Sequence, residues 1–172
     1  MDVKEVIRNR HSVRSFSEKT PSKKIIDEII GYANLAPSAG NLQARDFVIV
    51  DDEAIRKQLS AAAYHQRFLA EAPIDIVVCA NFHRISSYGK RGRELYCIQD
   101  VSAAVEHILL LAVDYGLDSC WVGAFDEKKV TAILGLPEHI RPLAILPIGY
   151  ANVEKTATQR LDIRTITHLN RW

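Results

Sequence analysis

Two arginines and a serine near the start of the chain, Arg10, Ser12 and Arg14, are residue types that commonly bind anions. The guanidinium group presents planar donors that match phosphate oxygens, and the serine hydroxyl adds a neutral donor. In an extended segment these side chains project to one side, because side chains alternate with a period of two. The segment therefore predicts an anion site, with a solvated basic patch as the commoner use of so short a motif.

A second polar group lies in the loop Pro37–Gln43, which is built of turn-forming residues. Its serine, asparagine and glutamine side chains suit the donor and acceptor edge of a heterocyclic ring. Gly123 follows a short apolar run, and a glycine there lets the backbone approach a flat ligand closely. Arg160 is a further candidate cation for a phosphate, with a solvated tail charge as the alternative. These features predict a nucleotide-like cofactor without identifying it.

The sequence lacks several motifs that would predict other chemistry. It contains no G-x-x-x-x-G-K-[ST] loop, no G-x-G-x-x-G after a strand, no G-x-S-x-G elbow and no H-E-x-x-H pair. The three cysteines, Cys79, Cys97 and Cys120, form no C-x-x-C pair, and an odd number at wide spacing argues against a disulfide framework or a structural zinc site. We therefore predict no metal and interpret the cysteines as small apolar core residues.

Length and composition are those of an ordinary globular protein, with 172 residues of which 48% are hydrophobic and 25% charged. We predict one domain over residues 1–172. The net charge of +1 gives no bulk attraction to nucleic acid or to an anionic membrane. No apolar run approaches the length of a membrane span, and the N-terminus lacks the layout of a signal peptide. We expect no nucleic-acid or membrane partner, and a cytoplasmic location.

Hydrophobic periodicity predicts a mixed architecture of helices and short strands. The helices are expected to start at Thr20–Pro21, to follow Asp51 or Asp52, and to cover residues 64–72, 96–115 and 126–134. Buried strands are expected at Phe47–Val50, Ile74–Ala80, Cys120–Ala124 and Leu143–Gly149.

Two further segments show no clear period. Residues 81–94 are polar and basic, with two glycines, and are expected to form a surface loop. This loop either selects the substrate through Tyr88, Arg91 and Arg93 or is simply solvated. The tail over residues 151–172 is polar at first and then carries scattered large apolar side chains, so we expect it to pack on a partner subunit.

The motifs taken in order resemble those of the nitroreductase family of flavoproteins. R-H-S-V-R-S-F at 10–16 is followed by A-P-S-A-G-N-L-Q at 36–43 and F-V-I-V at 47–50. Then come Q-D-V-S-A-A-V-E-H-I-L-L-L-A at 99–112, Y-G-L-D-S-C-W-V-G-A-F at 115–125 and L-P-I-G-Y-A at 146–151. Each motif is weak alone, but their order and spacing over nearly the whole chain make the resemblance specific.

The resemblance implies an α+β fold with a mostly antiparallel sheet flanked by helices, and an intertwined homodimer that binds FMN at the subunit interface. It implies three groups of cofactor-binding residues and a phosphate-binding residue in the tail. These are Arg10, His11, Ser12 and Arg14 at the phosphate, ribityl chain and pyrimidine edge; Pro37, Ser38 and Asn41 from the other subunit; Val122, Gly123 and Ala124 along the ring; and Arg160, with Lys155 as second choice.

The resemblance also implies an FMN-dependent oxidoreductase. Such an enzyme takes a hydride from NADH or NADPH and passes electrons to nitroaromatics, quinones or similar acceptors by ping-pong chemistry, with no catalytic side chain, since the flavin carries the reaction. The alternatives are other flavin chemistry, such as dehalogenation or dehydrogenation, and a non-catalytic flavin-binding protein. Larger members carry an Asn and a Lys at the pyrimidine edge. Here His65 or Gln66 is expected to replace the amide, and Arg14 the charge.

Overall fold

The fold is built around one antiparallel sheet of four strands, as seen in a computed structural model that describes residues 1–153 and 158–172. The strands lie in the order β1-β2-β4-β3, where β1 is Arg45–Val50, β2 is Ile74–Asn81, β3 is Asp118–Ser119 and β4 is Ile140–Gly149. The helices are α1 (Val3–Asn9), α2 (Lys23–Ala33), α3 (Glu53–Ala62), α4 (Phe68–Glu71), α5 (Gly89–Arg91), α6 (Cys97–Asp114) and α7 (Glu127–Leu134). This architecture confirms the predicted α+β class.

The strand β2 is buried along its whole length, because helices cover both faces of the sheet. Ile76 and Val78 pack on one face with residues of α2 and α6, whereas Val77 and Cys79 pack on the other with residues of α3 and α7. A continuous apolar run suits a strand that is covered on both sides. Full burial of one such side chain contributes about 1.5–3 kcal/mol, so β2 is central to both cores.

Polar caps and a glycine define the helix ends largely as predicted. Asp52 and Asp126 accept hydrogen bonds from backbone amides in the first turns of α3 and α7. Gly116 follows α6 with a φ of +71°, a left-handed conformation that closes a helix. One start differs, because the hydroxyl of Ser22 rather than that of Thr20 caps α2.

The prediction of a surface loop at residues 81–94 is wrong, because most of this segment is helical and runs directly into α6. It contains a 3₁₀ turn at Ser86–Tyr88, α5 and the start of a π-helical turn at Gly92–Tyr96. A Cβ on Gly92 would lie 2.8 Å from the carbonyl oxygen of Ile85. The glycine thus permits close packing of successive turns instead of a flexible loop, and Ile85 is fully buried.

Two other predicted elements are shorter than expected. No strand forms at Cys120–Ala124, where Val122 makes only a single bridge to Ile145, and the short strand β3 lies just before this segment. The expected helix over residues 64–72 is reduced to α4, because Tyr64 and His65 adopt φ values of 57° and 62°. A helix cannot continue through this left-handed conformation.

The helical run Ser86–Asp114 is 29 residues long and, by length and composition alone, could cross a membrane. Half of its apolar window is buried inside this chain, where Val105 and Ile108 belong to the core. Core helices of soluble proteins pass the same test, so we interpret this run as a core helix.

Asp75 on β2 is a carboxylate inside the core. Its exposed fraction is 0%, and neither carboxylate oxygen has a hydrogen-bond partner among the described residues. Burial raises the pKa of Asp75 well above its ordinary value, and the nearby positive charge of Arg56 opposes this rise only in part. The charged form is therefore disfavoured in the folded protein.

We expect Asp75→Asn to stabilise the protein increasingly as the pH rises from about 4 to 7. The unfolded chain loses the Asp75 proton near its ordinary pKa, about 3.9, whereas the folded chain retains it to higher pH, so wild-type stability falls across this window. Each unit of pKa difference corresponds to about 1.4 kcal/mol. Urea unfolding of both proteins at pH 4, 5.5 and 7 measures the difference.

Glu127→Gln is the matched control, because its pKa is lowered by hydrogen bonding to Arg141. The ionised Glu127 carboxylate stabilises the folded protein at neutral pH, and this stabilisation is lost as the pH falls. The variant should therefore be less stable than the wild type chiefly at pH 7. A stability difference for Asp75→Asn that does not change with pH would contradict the neutral carboxyl.

Candidate functional site

The residues predicted to bind an anion lie in an extended segment between α1 and α2. The backbone N–H of Val13 donates to the carbonyl oxygen of Ser119 at 3.0 Å, and Ser12 forms a parallel bridge with Ser119. Val13 is 3% exposed, whereas Ser12 and Arg14 are exposed. The buried Val13 between two exposed neighbours shows the alternation of side chains that is expected for an extended segment. We call residues 10–14 the cradle.

The thiol of Cys120 lies beside all three anion-binding candidates. Burial raises the pKa of this thiol, while the charges of Arg14 and Arg10 and hydrogen bonding to Ser12 and Arg14 oppose the rise. Neither arginine forms an ion pair with a carboxylate in the part of the chain that the structure describes. The two positive charges are therefore available to an anionic ligand.

His11 differs from its neighbours in the cradle. Its Nδ1 lies 2.9 Å from the carbonyl oxygen of Asn9, at the end of α1. This contact holds one side of the imidazole ring against the preceding helix. The ring nitrogen Nε2 is the one left for a ligand.

The predicted ring-facing stretch, residues 122–124, starts two residues after Cys120 and so lies next to the cradle. The amide and carbonyl of Val122 both bond to Ile145 at 3.0 Å, which ties the stretch to β4. Gly123 is exposed, and a Cβ built on it would meet nothing within 4 Å. This chain's own packing does not require a glycine at this position, so the open space suits a flat ligand.

Gln66 supports the ring-facing stretch from the other side. Its Nε2 donates to the carbonyl oxygens of Ala63 and Ala124, both at 3.0 Å. The amide expected at a pyrimidine edge thus lies beside Ala124, but its donors already bond to backbone. His65 precedes it in a left-handed conformation.

The loop with Pro37, Ser38 and Asn41 has a tightly specified backbone. The Ser38 hydroxyl accepts the amide N–H of Gln43 at 3.0 Å, and the Asn41 side chain accepts a weaker bond from the Gln43 side chain at 3.4 Å. Gly40, Asn41 and Gln43 have φ values of 57°, 56° and 48°. Non-glycine residues seldom adopt this conformation, and such strain is commonly found at functional sites.

The structure does not bring this loop to the cradle of the same chain. Ser119, beside the cradle, is level with the start of β2, while Arg45, after the loop, pairs with Ala80 near its end. That is about 20 Å along the strands and about 14 Å across the sheet, or about 24 Å diagonally. The two groups thus lie at opposite corners of the sheet.

The helix α6 gives a second measure of this separation. Asp114 near its end forms an ion pair with the N-terminal amine of Met1 at 2.8 Å, next to α1 and the cradle. Asp100 near its start accepts a hydrogen bond from the loop amide of Ala39 at 2.9 Å. Fourteen residues of helix between the two aspartates span about 21 Å.

The tail starts beside the cradle and then leaves the body of the chain. Ser17 donates its backbone N–H to Tyr150 at 2.9 Å, and Asn152 donates to Ser15 at 3.0 Å. Among the described residues, the Arg160 side chain hydrogen-bonds only with its neighbours Thr158 and Gln159. Lys155, the second candidate, lies outside the described residues. Large apolar side chains further along the tail are exposed: Leu161, Ile163, Ile166, Leu169 and Trp172.

A wide cleft of about 1120 Å³ lies elsewhere, between the helical segment after β2 and the start of β4. Its charged groups are largely engaged: Lys90 lies 3.8 Å from Glu94, and Arg141 is bound by Glu127 at 2.8 Å. The guanidinium of Arg93 stacks over the ring of Phe82. The cradle, whose two arginines form no ion pair within residues 1–153 and 158–172, is therefore the better candidate for an anion.

Two residues that shape the site were not expected from the sequence. Arg45 and Asp100 are 2% and 3% exposed, and both bond to the backbone around the loop. The available signal was a charged residue inside an otherwise apolar strand or helix pattern, since charged residues are seldom fully buried unless paired. Among the described residues, no group of three or more histidine, cysteine or acidic residues could hold a metal ion.

Comparison with known proteins identifies close relatives. The model of the Nitroreductase family matches residues 7–66 and 58–150, which include the cradle, the loop and the ring-facing stretch. A protein of Archaeoglobus fulgidus that carries the name NADH dehydrogenase/NAD(P)H nitroreductase is 36% identical to this chain over 154 residues. The alignment covers 87% of this chain and 86% of the relative. A Bacillus subtilis protein named FMN reductase (NADPH) is 25% identical, covering 98% of this chain and 73% of its own.

A solved structure gives the same result for the fold. An FMN-dependent nitroreductase from Clostridium difficile R20291 superimposes with a TM-score of 0.84 and 28% identity. The comparison covers 97% of this chain and 98% of that one. The similarity therefore extends over nearly the whole length of both proteins.

We expect Gly40→Ala to destabilise the protein by about 2 kcal/mol or more. Alanine would have to adopt the left-handed φ of +57° that glycine tolerates at this position. Its methyl group would also lie 2.6 Å from the hydroxyl oxygen of Tyr88. Denaturant unfolding measures the loss. Gly31→Ala, in α2 with nothing within 4 Å of the new methyl, is the control and should gain about 0.5–1 kcal/mol.

Adding Tyr88→Phe to Gly40→Ala should recover the part of the loss that comes from the hydroxyl contact. Equal stability of Gly40→Ala and the wild type would contradict the tight loop packing.

Proposed function

Because the chain belongs to the nitroreductase family, we propose that it is an FMN-dependent oxidoreductase that uses NADH or NADPH to reduce nitroaromatics, quinones or similar acceptors. The observation that carries the proposal is a pair of arginines, Arg10 and Arg14, that form no ion pair among the described residues and lie beside the open surface over Gly123. Two cations and a hydroxyl suit a phosphate and a polar chain, and the open backbone suits a flat ring. A cytoplasmic location, where nicotinamide nucleotides are supplied, is part of the proposal.

Under this proposal, the side chains of the cradle bind different parts of FMN. Arg10 and Ser12 would hold the phosphate and the ribityl chain, and Arg14 would hold the pyrimidine edge, where its charge would favour electron density on the ring. His11 contributes from the edge of the cradle. When bound, FMN would supply the redox chemistry, namely hydride acceptance and electron transfer.

Residues 122–124 give the ring a backbone surface and hold no acid or base. Their position is fixed by the two hydrogen bonds between Val122 and Ile145 and by the bond from Gln66 to Ala124. Donor and acceptor would use the same open face in turn, which is the requirement for a ping-pong reaction. Among the described residues around this face, none is needed as a proton donor under this proposal.

A homodimer completes the site under this proposal. The cradle and the loop with Pro37, Ser38 and Asn41 are about 24 Å apart within one chain, which is longer than one mononucleotide. A second copy could supply its loop to the cradle of the first. The exposed apolar tail and the outer edge strand β1, with Ile49 44% exposed, are surfaces that such a partner would cover.

The acceptor would meet the aromatic side chains next to that loop. Tyr88 lies against Gly40 and packs edge-on against Tyr96 with ring centroids 5.2 Å apart. Arg91 donates from Nε to the Tyr96 hydroxyl at 2.9 Å. Two aromatic rings suit a flat, electron-poor acceptor such as a quinone or a nitroaromatic, and the cation suits its oxygen atoms. Arg160 and Lys155 are the tail residues proposed for the phosphate.

The proposed reaction predicts a two-step change in flavin absorbance. Under anaerobic conditions, NADH or NADPH should bleach the flavin of the FMN-loaded protein, and a quinone or nitroaromatic should restore it. Stopped-flow absorbance measures both half-reactions. Failure of both nicotinamides to bleach bound flavin would overturn the reductase proposal in favour of a flavin-binding protein, whereas bleaching without reoxidation by either acceptor class would favour other flavin chemistry.

We expect Arg10→Ala to weaken FMN binding by about tenfold or more, because a hydrogen bond to a charged group contributes roughly 1.5–3 kcal/mol. Fluorescence titration of the apoprotein with FMN measures the affinity. Arg8→Ala is the matched control, since Arg8 is an exposed cation in the last turn of α1, outside the cradle. Equal FMN affinity of the two variants would show that Arg10 does not bind the phosphate.

A further inference from the structure

Arg45 is a buried guanidinium that bonds to the backbone at the start of the loop. It donates to the carbonyl oxygens of Asn34 and Ala36 at 2.7 Å, and to those of Pro37 and Asp100 at 3.3 and 3.4 Å. The first three of these carbonyls lie where α2 ends and the chain enters the loop. Carbonyls at and just past a helix end have no intrahelical partners, and here one side chain bonds to three of them.

Asp100 binds the same loop from the side of α6. One carboxylate oxygen accepts the amide of Ala39 at 2.9 Å, and the other accepts the amide of Ala44 at 3.4 Å. The two amides flank the strained residues of the loop. Burial lowers the pKa of Arg45, and the charge of Asp100 opposes this effect, as expected for oppositely charged buried groups.

Between these anchor points, Gly40, Asn41 and Gln43 hold left-handed φ values. Such a conformation persists only where the surrounding structure determines it. We infer that Arg45 and Asp100 are positioning residues for FMN binding, and that they act on the flavin of the partner subunit by fixing the loop that reaches it. This inference rests on the proposed function.

A purely structural role for the same pair would affect only the stability of its own subunit. The proposed role places the effect in the other subunit, at the site formed by that subunit's cradle. Location of the defect therefore distinguishes the two roles.

The first experiment compares Arg45→Lys with Arg56→Lys in the homodimer. Lysine keeps the charge, but its ammonium cannot reach the four carbonyls that the planar guanidinium bonds. We expect a weakening of FMN binding by about tenfold or more, because loss of several charge-assisted bonds misplaces the loop. Arg56, 9% exposed and bonded to the carbonyl of Asp51 on the other face of the sheet, should leave FMN affinity unchanged.

The second experiment uses tagged mixed dimers that carry Arg10→Ala and Arg45→Lys. With the two changes in different subunits, one site receives both defects and the other site has a normal cradle and a normal loop. Half of the FMN sites should then titrate with wild-type affinity. With both changes in one subunit and a wild-type partner, each site has one defect, and no site should titrate normally.

Each outcome of the mixed-dimer titration decides the inference. Equal retention of normal sites in both arrangements would show that Arg45 has no role in FMN binding, and the reverse pattern would show that it acts within its own subunit. Wild-type protein that binds no FMN, or that is a monomer by light scattering, would overturn the proposed function itself. If Arg45→Lys does not fold, Asp100→Asn replaces it with the same expected pattern.

Discussion

The antiparallel pairing of β2 with β4 is the interaction on which the rest of the structure depends. Its register runs from Ile74 opposite Ile148 to Asn81 opposite Ile140 and fixes where each connecting segment leaves the sheet. Because both faces of β2 are buried, a one-residue slip would exchange the residues of the two cores. The core therefore holds the cradle at one corner and the loop at the opposite corner, so packing sets the functional geometry.

Charged groups in this structure differ in what compensates them. Arg45 and Asp100 are buried but bond to several backbone groups, which offsets their desolvation. Asp75 lacks such partners among the described residues and avoids the penalty through a raised pKa. Arg10 and Arg14 remain near solvent, and neither has a carboxylate partner among the residues that the structure describes. Charges that shape the fold are thus separated from charges that can bind a ligand.

The features that could be predicted from the sequence have local signals. The cap at Asp52 and the closing Gly116 act within one turn of their helices, and the apolar run of β2 needs no distant partner to be recognised. Gly92 misled the prediction because its role depends on Ile85 packing against the next turns. Arg45 was missed because its partner Asp100 is 55 residues away, and no pattern in either segment marks the pair.

In the proposed dimer, the loop of one subunit would contribute to the FMN site of the other subunit and not to its own. The left-handed residues of the loop are held by Arg45 and Asp100 of the same chain, while under the proposal the flavin that the loop contacts would lie on the partner's cradle. Under the proposal, each chain therefore stabilises a strained loop that contributes to its partner's FMN site and not to its own. Binding of FMN would then favour the dimer over separate chains, because only the dimer contains a complete site.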